Sequence, residues 1–482
     1  MSAPDPIRIA VVGHTNAGKT SLLRTLTRRV DFGEVSDRPG TTRHTESIDL
    51  KVRGQTAVRF FDTPGLEDAV ALLDYLQALP AGLSRPERVR TLLRGPEAHG
   101  VFEQEAKVLR ALLDEADAAM LVIDSREPLL PKYRAELDVL GYCAKPVMPV
   151  LNFTAHADSR HAQWHQALLE ANLHAQVEFD AVAPFTGAAR LLHCDLATLL
   201  RARRAQLQDI AAFLAEEAAA RRTSACRVVA DALVRCAAMR REIDAQSFEQ
   251  AAERRRFVEA FRADVAAHAR DAVRTLLAVY AFRPGEAEAT GLPQLDGRWE
   301  DDLFNPETLK QAGKRLGTGA VVGGAVGAVA DLALAGLSLG AATALGATLG
   351  GVVSQGWLPL WRKLDNRRRG VQELTLEDTV LLLLASHLLR LTQALERRGH
   401  AAMDKLRVDD ARVVDMPGAA GAPASAPPAQ PLQDLLDALT PARGHPLWET
   451  PPGKRSDTDD GARNACVMDV AREVDKRLPV AQ

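Results

Sequence analysis

Cysteine is scarce in this chain and scattered along it. Five occur in 482 residues, Cys143, Cys194, Cys226, Cys236 and Cys466, with no C-x-x-C pair. Neither a disulfide framework nor a zinc site is expected, and a reducing cytoplasm suits the composition. Aromatic residues make up only 5% and the formal net charge is -3, which gives no nucleic-acid footprint. Ahead of Ile7 there is no basic segment and no cleavable apolar stretch, an argument against secretion. Between Pro184 and Pro284 proline is missing altogether. That stretch is rich in Ala, Arg, Glu and Leu, shows no strand signal from Ala188 to Phe282, and is expected to be helical. His156, His161 and His165 lack an accompanying H-E-x-x-H carboxylate, so a solvated helix face is expected of them and not a metal site.

What the chain does have is gathered near its beginning. Gly13-His14-Thr15-Asn16-Ala17-Gly18-Lys19-Thr20 is a complete G-x-x-x-x-G-K-S/T loop, set between the apolar run Ile7 to Val12 and a helix-prone run opening at Ser21. In that setting the loop amides and the helix N-terminus point at phosphates, Lys19 supplies a point charge and Thr20 a hydroxyl for Mg²⁺. A nucleoside triphosphate ligand is expected. Further apolar runs, Val58 to Phe61, Ala118 to Ile123, Val147 to Leu151 and Val177 to Val182, alternate with helical patterns. The fold class is therefore α/β, a mostly parallel sheet covered on both faces, with ligands at the carboxyl ends of the strands. The run ending at Phe61 flows into Asp62-Thr63-Pro64-Gly65, a D-x-x-G element. Between the two motifs lies Arg38-Pro39-Gly40-Thr41-Thr42-Arg43, where a threonine hydroxyl is placed to close over Mg²⁺. Asp124 and Arg126 are expected to cap their own turn.

The ordered trio resembles the Era-like and tRNA-modification (TrmE-type) bacterial P-loop GTPases, which carry G-x-x-N-x-G-K-S/T, P-G-T-T-R and D-T-P-G. The resemblance covers roughly the first 190 residues. It implies Thr42 as the switch threonine on Mg²⁺, Asp62 as a magnesium residue, Gly65 as the γ-phosphate sensor and Asn16 as ligand of an activating K⁺. It also implies GTP and GDP as ligands, with Lys19, Asn16 and Thr42 as the catalytic set. Two departures stand out. Leu66 occupies the place of a water-positioning glutamine, and an apolar side chain cannot orient water. The guanine motif N-K-x-D is reduced to Asn152-Phe153-Thr154-Ala155: Asn152 is kept as a nucleotide-site residue, the carboxylate is gone, and Asp158 stands at the wrong spacing. A charge-assisted hydrogen bond is worth about 1.5–3 kcal/mol, so preference for guanine over adenine is expected to fall about ten- to a hundredfold. GTP and ATP both stay open.

After Gly65 some forty residues are inserted before a helix near Glu103, including the periodic Leu72, Leu73, Leu76 and Leu79; a nucleotide-controlled docking surface is expected there. The rest divides into helices over 191–315, a glycine-rich hairpin over 316–361, helical continuation over 362–410, and a Pro/Ala linker with a mobile tail over 411–482. In the hairpin Gly319, Gly323 and Gly327 recur at four-residue steps and basic residues flank both ends. Two readings fit: insertion at the cytoplasmic face of an inner membrane, or a soluble glycine zipper. An amphipathic helix is expected over Leu374 to Arg398. Architecture of this kind resembles uncharacterised bacterial GTPases with a C-terminal domain of unknown function (DUF3482-like). The expected function is a slow K⁺-assisted GTPase switch whose helical half engages a membrane or protein partner. The alternatives are a nucleotide-binding scaffold with relaxed base specificity and a ribosome- or RNA-associated factor.

Overall fold

A computed structural model describes residues 5–28, 46–154, 156–181, 184, 187–282, 303–304, 337–339, 369–397, 430–452 and 460–479. The chain forms two compact units: Met1–Ala219 with Arg397–Met403 and Ala481–Gln482, and Ala220–Glu396 with Asp404–Val480.

In the first unit the strands are β1 (Ile7–Val12), β2 (Glu46–Val52), β3 (Gln55–Asp62), β4 (Ala118–Asp124), β5 (Val147–Asn152) and β6 (Val177–Glu178). They lie in the order β2-β3-β1-β4-β5-β6, antiparallel between β2 and β3 and parallel elsewhere. The expected run Ile7 to Val12 is β1 residue for residue. Of the described residues in Val177 to Val182, 177–181, only the first two are strand. β2 was not foreseen, because it is a half-buried edge strand that buries Ile48 and Leu50 in alternation and has no continuous apolar run. It turns into β3 through Arg53 (φ 50°) and Gly54 (φ 82°), the two positive φ values a type I′ hairpin needs.

Helices α1 (Lys19–Thr27), α2 (Ala69–Ala78), α3 (Arg85–Arg94), α4 (Glu103–Arg110), α5 (Pro131–Tyr142), α6 (His161–Glu170) and α7 (Ala188–Leu199) cover both faces, followed by α8 (Arg204–Ala238), within which the unit boundary falls. Alternation along β1 sends Ile7, Ile9 and Val11 into a core with Leu22, Leu23 and Leu192, and Ala10 and Val12 into another with Leu72, Leu109 and Trp164. Each large apolar side chain so buried contributes about 1.5–3 kcal/mol. The insertion after Gly65 is ordered: it holds α2 and α3, and Glu105 of α4 reaches back to accept from the Asp68 amide at 3.0 Å. β1 sits between β3 and β4, where the strand order reverses and a crevice opens at the carboxyl ends.

The second unit is mainly helical, with α9 (Ala245–Glu249), α10 (Ala251–Val279), α11 (Asp378–Glu396), α12 (Gln430–Arg443) and α13 (Gly461–Asp475). It also holds an antiparallel sheet β7-β9-β8, formed by β7 (Arg241–Asp244), β8 (Leu337–Leu339) and β9 (Val371–Leu376). Strand β7 corrects the reading of Ala188 to Phe282 as free of strand: four residues of R-E-I-D have no pattern of their own and become a strand by pairing with β9, far along the chain. For the same reason the helix expected from Leu374 begins only at Asp378. The tail expected to be mobile contains α12 and α13, whose Leu435, Leu439, Val470 and Val474 lie in the core with Leu233, Phe261 and Leu384. Apart from Leu337–Leu339, the glycine-rich hairpin lies outside the described residues. Among the described residues no helix is long and apolar enough to cross a membrane.

Candidate functional site

The loop after β1 is shaped by what its glycines leave room for. A Cβ on Gly13 would stand 2.3 Å from the Val122 carbonyl oxygen of β4, and one on Gly18 2.3 Å from Asn152 Nδ2. Asn152, fully buried at the end of β5, donates from Nδ2 to the Ala17 carbonyl (3.0 Å) and accepts at Oδ1 from the Phe153 and Ala181 amides (3.0 and 2.9 Å). It braces the loop backbone and the segment after β6 together. Thr25 of α1 adds a bond to the Ala181 carbonyl at 2.8 Å. Asn16 stands at the exposed tip in the left-handed region, φ 67°, a conformation that asparagine tolerates.

Lys19 Nζ donates to the carbonyls of Gly13 and His14, both at 3.0 Å, so the loop curls around its own ammonium. Burial lowers the Lys19 pKa, against the opposing charges of Asp62 and Glu136. One residue on, Thr20 Oγ1 donates to Asp62 Oδ2 at 2.5 Å. Asp62 is only 1% exposed, its Oδ1 has no partner among the described residues, and burial raises its pKa despite the Thr20 hydrogen bond and the Lys19 charge. A hydroxyl beside a buried carboxylate with one unsatisfied oxygen suits a hard divalent cation, so the residues present fit Mg²⁺. No cluster of three or more His, Cys, Asp or Glu gathers among the described residues, and a Mg²⁺ that keeps several of its waters needs none.

Gly65 lies directly on the loop: a Cβ there would come within 2.4 Å of Thr15 Oγ1 and 2.6 Å of the Thr15 nitrogen. Leu66 turns wholly into the core beside Ala69 and Leu72. Ser21 follows in the first turn of α1, half-buried. Thr42 and its neighbours Arg38 to Arg43 lie outside the described residues, as do Ala155 and most of the segment Ala183 to Thr186. Structure thus brings together Gly13 to Ser21, Asp62, Gly65 and Asn152.

Where the guanine motif would continue, Phe153 takes a left-handed backbone (φ 59°) and its ring lies 3.9 Å from the Arg126 guanidinium carbon. Arg126 in turn grips Asp124 with two bonds, 2.9 and 2.7 Å, so those two residues do cap their own turn. Asp158 is exposed beside His156 at 3.6 Å.

Sequence reading missed three residues of α5. His14 Nδ1 lies 2.9 Å from Glu136 Oε1 and 3.2 Å from the Leu66 carbonyl oxygen, and Lys132 Nζ lies 2.9 Å from His14 Nε2. Tyr133 meets the His14 ring edge-on at 5.4 Å. These side chains, with Asp124, Glu127 and Trp164, line a cavity of about 280 Å³ beside the loop. Nothing in the sequence signals it, since Glu136 is 122 positions from His14.

A family model described as 50S ribosome-binding GTPase matches residues 8–153, and one described as Domain of unknown function (DUF3482) matches residues 165–472. GTPase Der of Xylella fastidiosa is 34% identical over 144 residues, 28% of this chain and 29% of that protein. The tRNA modification GTPase MnmE of Rhizobium meliloti is 43% identical over 70 residues, 14% and 16% of the two chains. The chain therefore spans less than a third of the length of either curated relative. Among solved structures, Aquifex aeolicus Era bound to GDP.AlF4- shows 22% identity, a TM-score of 0.26, and coverage of 36% of this chain and 50% of that one. The G domain of the T. maritima FeoB iron transporter shows 21% identity, a TM-score of 0.21, and coverage of 37% and 89%.

Proposed function

Because this chain belongs to the DUF3482 family and opens with a P-loop GTPase domain of the Era and TrmE type, we propose that it is a slow, K⁺-assisted GTPase switch. The observation that carries this reading is the assembly of Lys19, Thr20, Asp62 and Gly65 around one end of β1. Loop amides and Lys19 would hold the phosphates, Thr20 and Asp62 would hold Mg²⁺, and Gly65 would meet the terminal phosphate. Mg²⁺, when bound, neutralises charge on the phosphate oxygens. Thr42, by the resemblance of its motif, would supply a further oxygen to it. K⁺ assistance rests on Asn16, exposed at the loop tip, and on Leu66, whose burial removes the side chain that would orient water.

One reading competes with it. The Phe153 ring beside Gly18, with Arg126 stacked on it, takes the place of the motif's lysine, and the motif's carboxylate position is an alanine in the sequence; both favour a nucleotide-binding scaffold of relaxed base specificity. Coupling to a membrane surface or protein partner rests on the glycine-rich sequence and on the ordered insertion α2–α3 after Gly65.

Phosphate release from GTP and from ATP, measured in K⁺ and in Na⁺ buffers with Lys19→Ala as control, tests these readings. The switch requires turnover of GTP several-fold faster in K⁺ and none in the variant. Tight binding of both nucleotides with no turnover in either salt would leave the scaffold.

A further inference from the structure

The group that ties the phosphate loop to the segment after Asp62 is His14. Its three polar neighbours fix its tautomer. Lys132 carries only donors, so Nε2, 2.9 Å away, must accept; the proton then sits on Nδ1, which faces two acceptors, Glu136 Oε1 at 2.9 Å and the Leu66 carbonyl at 3.2 Å. Every polar atom of the ring is satisfied, and a relay runs from the Lys132 ammonium through the imidazole to a carboxylate only 3% exposed. A hydrogen bond to an ionised partner is about twice as strong as a neutral one, which makes this a firm anchor.

Two consecutive loop residues thereby hold two consecutive residues of the neighbouring segment. Thr15 lies against Gly65, close enough that no side chain fits there, while His14 bonds the Leu66 backbone. The Leu66 side chain is locked in the core. Glu136 fastens the same imidazole to α5, so the loop, the turn after Asp62 and α5 are joined at one ring. On the GTPase reading above, from which this inference starts, Gly65 is the residue that meets the terminal phosphate, and its distance from the loop decides whether that phosphate is felt.

We propose that His14 is a positioning residue for the GTPase cycle: through Leu66 and Glu136 it sets the register between the phosphate loop and Gly65, and so the preference of the site for triphosphate over diphosphate. The His14 side chain is engaged by Leu66, Glu136 and Lys132. It acts through the neighbouring backbone.

The test uses the full chain with fluorescent GDP and a non-hydrolysable fluorescent GTP analogue, comparing wild type, His14→Ala, His14→Asn and Lys132→Met. Asparagine places an amide nitrogen near the position of Nδ1 and keeps the donor to Leu66 and Glu136, without the bond to Lys132. His14→Ala should weaken the triphosphate about tenfold more than the diphosphate. His14→Asn should recover most of that preference, and Lys132→Met, on α5, should lose a smaller part of it. Equal weakening of both nucleotides by His14→Ala, or no recovery by asparagine, would overturn the proposal while leaving the GTPase reading intact. A wild-type chain that takes up neither nucleotide would overturn both. If His14→Ala fails to fold, the Lys132→Met ratio decides: an unchanged preference contradicts the relay.

Discussion

Two carboxylates, one buried in the first unit and one half-buried in the second, are treated in opposite ways. Asp62 faces a threonine hydroxyl and has an oxygen with no partner among the described residues, and burial drives its pKa up. Glu449 is also pushed up by burial, but hydrogen bonds from Arg241, with the charge of Arg241 and of His268 3.7 Å away, outweigh it and hold the carboxyl at about 2. Arg241 meets both Glu449 oxygens at 2.6 Å and reaches Asp264 at 2.8 Å. Similar pairs recur in the second unit: Arg463 with Asp231, Arg240 with Glu373, Arg443 with Asp378. Charge in those pairs is spent on the fold itself, whereas the Asp62 carboxylate beside β1 keeps an oxygen without a partner among the described residues. A buried carboxylate with an oxygen left over beside a phosphate-binding loop is placed to receive a ligand; one gripped at both oxygens by a guanidinium is placed to hold the fold.

The contrast is sharpened most by core truncation. Leu384→Ala, at a fully buried position of α11, should destabilise the second unit by about 2–5 kcal/mol in urea unfolding. Next come the carboxylates themselves. Glu449→Gln leaves the Arg241 guanidinium with Asp264 as its remaining charge partner; because Arg241 is one-third exposed as well, the expected loss is below the roughly 3–5 kcal/mol seen for broken buried pairs. Asp62→Asn removes an unfavourable buried charge and should leave the nucleotide-free fold as stable as before or more so, while abolishing Mg²⁺-dependent binding. A large loss of stability in Asp62→Asn would erase the distinction between the units.

Acid should separate them with opposite signs. Glu449 has a folded pKa below its ordinary 4.5, so its contribution is complete above that value and is lost as pH falls from about 4.5 towards about 2. Asp62, raised above its ordinary 3.8, is relieved as pH falls through its higher folded value, so protonation there favours the folded state. Unfolding followed by probes in each unit between pH 5 and 2 should show the second unit failing through the Glu449 window. The smallest expected effect is local: Asp68 caps α2 by accepting from the Ala71 amide at 3.0 Å, and Asp68→Ala should cost about 1 kcal/mol there, visible as faster amide exchange in α2 only.

How much of this could be read from sequence depended on distance along the chain. β1, the loop and α1 are contiguous, and the motif carries its own geometry, so Gly13 to Thr20 were legible together. Asp62 and Gly65 followed because their strand is a buried apolar run. β2 and β7 were not legible: the first is an edge strand with polar alternate residues, the second four residues that depend on β9 some 130 positions later. α13 was hidden by its charged surface, though Val470 and Val474 at i, i+4 spacing were the signal of a buried stripe. His14 was legible only as one residue of the nucleotide-binding loop. Its partners Leu66 and Glu136 come from two other elements, and only folding brings them to the ring.

The most direct test of the central claim is a calorimetric titration of the intact chain with GTP, with and without Mg²⁺. The account predicts one site in the first unit, binding in wild type strengthened at least tenfold by Mg²⁺, that strengthening lost in Asp62→Asn, and no uptake in Lys19→Ala. Heat of binding that is unchanged by Mg²⁺ and by both substitutions would contradict it.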